Sequence, residues 1–69
     1  MMPRDAVLAV LRDAGEPLHW TVVQDRALRA GAIDPSEVRD VRGAVLGALR
    51  MLIDEGLVVK SAKGVYALA

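Results

Sequence analysis

Asp34 to Leu68 read DPSEVRDVRGAVLGALRMLIDEGLVVKSAKGVYAL, and this stretch decides the fold because it combines a long helix, a glycine stop and a hairpin. Asp34 is suited to cap a helix, Pro35 to occupy its first position and Glu37 to complete a capping box. Apolar residues then recur with a helical period at Val38, Val41, Val45, Leu46, Leu49, Leu52 and Ile53. The pattern predicts one helix over residues 35–55.

A hairpin is expected after this helix. Gly56 is suited to a positive φ just beyond the last turn, so that the next residue folds back onto the helix. Two segments of strand composition, Leu57–Lys60 and Val65–Leu68, flank the short polar segment Ser61–Gly64. We therefore predict a β-hairpin over residues 57–68.

The residues before Asp34 predict two shorter helices and a short strand. The first helix is expected over residues 3–14, and its apolar face comprises Val7, Leu8, Leu11 and Ala14. Pro17 disfavours helix in the residue before it, so Leu18–Trp20 are expected to be extended. A second capping-box pattern, opened by Thr21, predicts a helix over residues 21–31.

The order of these elements indicates the fold class. Helix, short strand, helix, helix, strand and strand predict a mainly α fold with a small antiparallel sheet. Because a two-stranded ribbon alone is marginal, Leu18–Trp20 are expected to add a third strand to the hairpin edge. Three helices with a hairpin beside the last one form a winged helix-turn-helix, and residues 1–69 have room for one such domain.

Composition narrows the chemistry. The chain has no Cys and one His, so we expect no disulfide, metal or cofactor. No nucleophile with an acid–base partner and no phosphate loop is present in the sequence, so we expect no enzyme. Charged residues interrupt the N-terminal apolar pattern, which argues against a signal peptide or membrane span and favours the cytoplasm. Nine basic and nine acidic residues give zero net charge, unlike dedicated nucleic-acid binders.

Two segments resemble a known family. Leu11–Trp20 (LRDAGEPLHW) and Lys63–Leu68 (KGVYAL) resemble the opening and closing signatures of HARE-type helix-turn-helix domains. These are winged-helix modules of chromatin regulators, restriction-type endonucleases and a bacterial RNA polymerase subunit. Asp34–Glu37 lie where that family places a Pro-containing start of its third helix, whereas Leu57–Val59 lack the Phe that often enters its wing.

The resemblance implies a DNA-binding or DNA-adjacent module, usually appended to another domain. In a winged helix that binds DNA, the third helix enters the major groove and the wing reaches phosphate or the minor groove. We therefore expect double-stranded DNA binding by a small transcriptional regulator or accessory factor. The expected DNA-binding residues are Arg39, Arg42, Arg50, Lys60, Ser61 and Lys63. The alternative is a solvated face, with lysines guarding a sheet edge and arginines balanced by acids.

The arginines of the third helix differ in their expected direction. Counted at about 100° per residue from Val38, Arg39 and Arg50 face outward together, whereas Arg42 falls within the apolar arc. A helix break near Gly43, a snorkelling side chain or an acidic partner would each account for Arg42.

Small residues mark the same helix. Gly43 and Gly47 each cost about 1 kcal/mol relative to Ala in a helix interior. With them, Ala44, Ala48 and Met51 form a stripe of small and apolar side chains. The first helix is its expected neighbour, and a phosphate backbone, a partner helix or a homodimer seam are the alternatives. A protein-interaction winged helix that docks on a polymerase, a nuclease or itself is therefore the alternative function.

His19 and Trp20 are expected to be structural. His19 is the single histidine and has no paired carboxylate, Ser or Cys in a catalytic arrangement. Trp20 is expected to pack in the core or against the wing.

Overall fold

The computed structural model describes residues 1–69. Its elements in chain order are α1 (Pro3–Ala14), β1 (Leu18–His19), α2 (Trp20–Arg29), α3 (Val41–Asp54), β2 (Val58–Ala62) and β3 (Val65–Leu68). Three helices and one antiparallel sheet form the mainly α, winged-helix architecture that the order of elements predicts. None of the helices is both long and apolar enough to cross a membrane.

The three strands lie in the order β1-β3-β2, so the short strand does extend the hairpin as predicted. Leu18 pairs with Tyr66 on one side of β3, and Val58 pairs with Leu68 on the other. The register of the hairpin shifts between Lys60 and Ala62, which is a bulge near its turn.

The predicted start of the third helix is wrong. Asp34 closes only a single turn, in which its carboxylate accepts hydrogen bonds from the backbone N–H and the hydroxyl of Ser36. Asp40 then leaves the helical region, with φ −106° and ψ 81°, and its side chain accepts a hydrogen bond from Gly43 N–H at 2.9 Å. Asp40 is therefore the N-cap of α3, and the helix begins at Val41, six residues after the predicted position 35.

The start of the second helix also differs from the prediction. His19 is the N-cap, and its Nδ1 accepts from Thr21 N–H at 3.3 Å. Trp20 is consequently the first residue of α2, whereas it was expected to be extended. Thr21 lies inside the helix that it was expected to cap. An extended residue with a side-chain acceptor is all that a cap requires, and the imidazole of His19 provides it.

The core consists of fourteen buried residues, all of them aliphatic. Helix α1 contributes the buried side chains Ala6, Val7 and Leu11, and α1 packs against both other helices. The C-terminal end of α3 closes as predicted, because Gly56 takes φ 78° and Leu57 N–H donates to Leu52 O at 2.9 Å.

Candidate nucleic-acid interface

Three parts of the chain meet around Trp20. Its backbone N–H donates to Gly64 O at 2.9 Å, which ties the start of α2 to the turn between β2 and β3. The guanidinium carbon of Arg42, in the first turn of α3, lies 5.1 Å from the centre of the Trp20 ring. The residues at this junction are called the Trp20 surface below. They are His19, Trp20, Thr21, Arg42, Lys63 and Gly64.

His19 sets the position of the hairpin turn as well as the start of α2. Its Nδ1 accepts from Thr21 N–H and lies 2.8 Å from Thr21 Oγ1. Nε2 points at the turn, because a Cβ added to Gly64 would lie 2.7 Å from it. Gly64 also has φ 72°, so both its backbone and its surroundings require glycine.

All six predicted DNA-binding residues are exposed, but they lie in different elements. Arg42 and Lys63 belong to the Trp20 surface, and Lys60 and Ser61 lie on β2, beside the turn. Arg39 precedes the α3 cap, so the prediction that Arg39 and Arg50 share one helix face is wrong. Arg50 lies eight residues beyond Arg42 in the same helix, about 12 Å along its axis.

The predicted cations are free of ion pairs. The ion pairs in the structure join Arg4 to Asp5, Arg4 to Glu55 and Arg29 to Asp25. The hydrogen bonds with Glu55 and Asp5 raise the pKa of Arg4, and the bond from Arg4 lowers the pKa of Glu55. Arg39, Arg42, Arg50, Lys60 and Lys63 have no such partner.

Three carboxylates lie between α2 and α3, and two of them, Asp34 and Asp40, have local structural roles. Asp40 accepts from Gly43 N–H as the α3 cap. Asp34 accepts from Ser36, and these hydrogen bonds hold the pKa of Asp34 below its usual range. Asp34 therefore remains negative at neutral pH.

The stripe of small residues on α3 is only partly covered. Ala48 is 4% exposed, and α1 packs against α3, which agrees with the first helix as the expected neighbour. Met51 remains 51% exposed, and a Cβ on Gly47 would meet no atom within 4 Å. Gly43 has a separate explanation, since a Cβ there would overlap the Asp40 carboxylate that caps the helix.

Arg42 has neither an acidic partner nor a helix break beyond it. It lies in the first turn of α3, where its side chain is exposed and its guanidinium lies over the Trp20 ring. The single tryptophan of the sequence stands next to a predicted helix start. Its contact with Arg42, however, joins residues 22 positions apart, and no local pattern predicts such a contact. The contact of Arg42 with Trp20 was therefore not predicted from the sequence.

Comparison of the chain with protein-family models, curated proteins and solved structures finds no match. No group of three or more His, Asp or Glu side chains is arranged to hold a metal ion.

Proposed function

We propose that this domain binds double-stranded DNA through the Trp20 surface and the adjoining hairpin. The observation that carries the proposal is the contact of Arg42 with Trp20, whose backbone N–H in turn bonds Gly64 O. A cation at the start of α3 is thereby linked to the hairpin turn in which Lys63 precedes Gly64. The resemblance to HARE-type domains implies a DNA-binding or DNA-adjacent module, and the role we propose is that of a small transcriptional regulator or accessory factor in the cytoplasm.

The distribution of charge supports this proposal despite the zero total. DNA affinity depends on the cations that reach phosphates, and each neutralised phosphate releases counterions. Asp5, Asp25 and Glu55 already pair with Arg4 or Arg29. The five unpaired cations of the predicted set are therefore available to phosphate.

Two helices begin at the same place. Helices α2 and α3 begin at Trp20 and Val41, and the Arg42–Trp20 contact joins their first turns. The side chains of His19 and Asp40 already cap these helices, so the attraction to phosphate rests on the cationic side chains.

The outward side of α3 favours contacts to the DNA backbone over base reading. Gly43, Gly47, Arg50 and Asp54 recur at helical spacing, and all four are exposed. Arg50 is the one member of this group with side-chain donors that suit a guanine edge. We therefore propose binding of low sequence specificity, in which only Arg50 contributes discrimination of about 1 to 3 kcal/mol.

A polarisation titration with labelled duplex DNA at two salt concentrations tests this function. The expected result is weak to moderate affinity that falls steeply as salt rises. Arg50→Ala should narrow the difference in affinity between GC-rich and AT-rich duplexes. Arg12→Ala, which removes an exposed charge from α1, should leave that difference unchanged. Absence of salt-dependent binding at tens of micromolar protein would overturn the proposal.

Docking on a protein is the second candidate function, favoured by the exposure of Met51 beside the open position at Gly47. The partner would be a polymerase, a nuclease or a second copy of this chain. A homodimer is the form that can be tested directly, by sedimentation of the wild type and of Met51→Lys. Concentration-dependent association that Met51→Lys abolishes would support it, and a monomer at high micromolar concentration would exclude a stable dimer.

A further inference from the structure

We infer that Trp20 is the positioning residue that prepares Arg42 and the hairpin to bind DNA together. The guanidinium of Arg42 lies over the indole ring, and the Trp20 backbone N–H donates to Gly64 O, next to Lys63. The inference rests on the proposed function and names the residue through which its two cationic parts are joined. Trp20 itself contacts no DNA in this account.

The cation–π contact is compatible with phosphate binding by Arg42. The guanidinium carbon of Arg42 lies 5.1 Å from the centre of the Trp20 ring, within cation–π range, and a guanidinium carries five N–H donors. Arg42 has no carboxylate partner to occupy those donors. Its side chain is exposed, so the donors are open to a phosphate oxygen from solution.

The stack also lowers the entropy lost on binding. A free arginine side chain samples many rotamers, and fixing it on a phosphate reduces affinity. Trp20 restricts Arg42 before DNA arrives, so part of that loss has already occurred in the free protein. A cation–π contact at an exposed site corresponds to about a two- to fivefold change in affinity.

A purely structural role for Trp20 predicts a different pattern. Its ring is half-buried and packs against the core, so its removal also affects stability. A loss of stability would weaken DNA binding equally whether or not residue 42 is an arginine. The positioning role instead predicts that the effect of residue 20 disappears when Arg42 is absent.

A double-mutant cycle separates these two roles. Affinity for one duplex is measured for the wild type, Trp20→Leu, Arg42→Ala and the double variant, at a temperature where circular dichroism shows all four to be folded. Trp20→Leu is expected to lower affinity two- to fivefold in the wild type and not at all in the Arg42→Ala background. Trp20→Phe, which keeps an aromatic face, should restore binding to within about twofold. Equal losses in both backgrounds would overturn the inference.

Arg42→Lys provides a route that leaves Trp20 intact. Lysine keeps the charge and a phosphate contact but lacks the planar face that stacks on the ring. The inference predicts that Arg42→Lys weakens binding about as much as Trp20→Leu while the salt dependence stays at its wild-type slope. Wild-type affinity for Arg42→Lys would contradict it, even if Trp20→Leu fails to fold.

The fluorescence of the free protein tests the stack without DNA. Trp20 is the only tryptophan, so a shift of emission in Arg42→Ala reports on this one contact. An unchanged spectrum would overturn the inference and leave the proposed DNA binding in place. Failure of the wild type to bind DNA in the titration would overturn both.

Discussion

Gly64 shows how one residue joins the hairpin to the start of a helix. Its φ of 72° places it in the left-handed region, and a side chain there would overlap the His19 imidazole. Gly15 has a similar φ of 66° but has open space where a Cβ would be added. A comparison of the two positions distinguishes backbone strain from steric overlap. A substitution at Gly15 would cause only backbone strain, whereas one at Gly64 would cause both.

Gly64→Ala should therefore destabilise the protein more than Gly15→Ala. The strain of a left-handed alanine costs about 1 to 2 kcal/mol at either position. At Gly64 the imidazole must also move, which disturbs the α2 cap, whose loss alone costs about 1 kcal/mol. Urea unfolding of the two variants measures the difference in their free energies of unfolding. Equal losses would mean that the His19 side chain moves aside without cost.

The helices show which boundaries can be predicted from neighbouring residues in the sequence. The end of α3 at Gly56 can be predicted from that residue and its neighbours. The strand β1 can be predicted from Pro17 and from the need of the hairpin for a further strand. The start of α3 cannot, because Asp34 and Asp40 both offer capping side chains to nearby N–H groups. The Asp34 carboxylate accepts a hydrogen bond from Ser36 N–H, and the Asp40 carboxylate accepts one from Gly43 N–H. Choosing between them requires the tertiary position of the loop.

Substitutions of the two aspartates test the observed helix start. Asp40→Ala removes the α3 cap and should lower the free energy of unfolding by about 1 kcal/mol. Asp40→Asn keeps an acceptor and should have a smaller effect. Asp34→Ala should leave the α3 backbone chemical shifts unchanged, because Asp34 lies outside the helix. A loss of helical shifts from Val41 onward in Asp34→Ala would instead favour the earlier start.

Gly47 tests the open side of the same helix. Its substitution by Ala meets no neighbouring atom and should raise stability by about 1 kcal/mol. Thermal unfolding measures this gain, and a destabilised variant would contradict the open position. A variant that is more stable but binds DNA less well would show that DNA approaches α3 closely at Gly47.

Across the whole molecule, Arg4 ties the start of α1 to the end of α3. Its Nε donates to Glu55 Oε2 at 2.7 Å, and both side chains of the pair are about one-third exposed, at 31% and 38%. This hydrogen bond lowers the pKa of Glu55. The stability from Glu55 is therefore present above the ordinary pKa of a glutamate and is lost as pH falls through the lowered value.

Glu55→Gln should consequently lose stability at neutral pH and little in acid. Urea midpoints of wild type and variant should converge as pH falls below the ordinary glutamate range. Glu16→Gln is the matched control, since Glu16 is exposed and has no ion-pair partner. A constant difference between wild type and Glu55→Gln at all pH values would contradict the assigned role of Arg4.

At this scale the sequence predicts the order of the elements but not the site. Helical period, strand composition and glycine stops are local, and together they indicate a winged helix. The candidate site depends on Trp20 meeting Arg42 and Gly64, and these contacts connect residues 22 and 44 positions apart. The exposed positions of Lys60 and Lys63 were predictable, since they follow from the hairpin alone.

The central claim is that cations of the Trp20 surface bind DNA phosphates, and the salt dependence of binding tests it most directly. Polarisation titrations over a series of salt concentrations would compare the wild type with Lys63→Ala, Arg42→Ala and the control Arg12→Ala. Each variant of the Trp20 surface should reduce the slope of log K against log salt by about 0.9, one phosphate contact, and lower affinity for every duplex alike. Arg12→Ala should retain the wild-type slope. Identical slopes for all four proteins, or no binding by the wild type, would contradict the account.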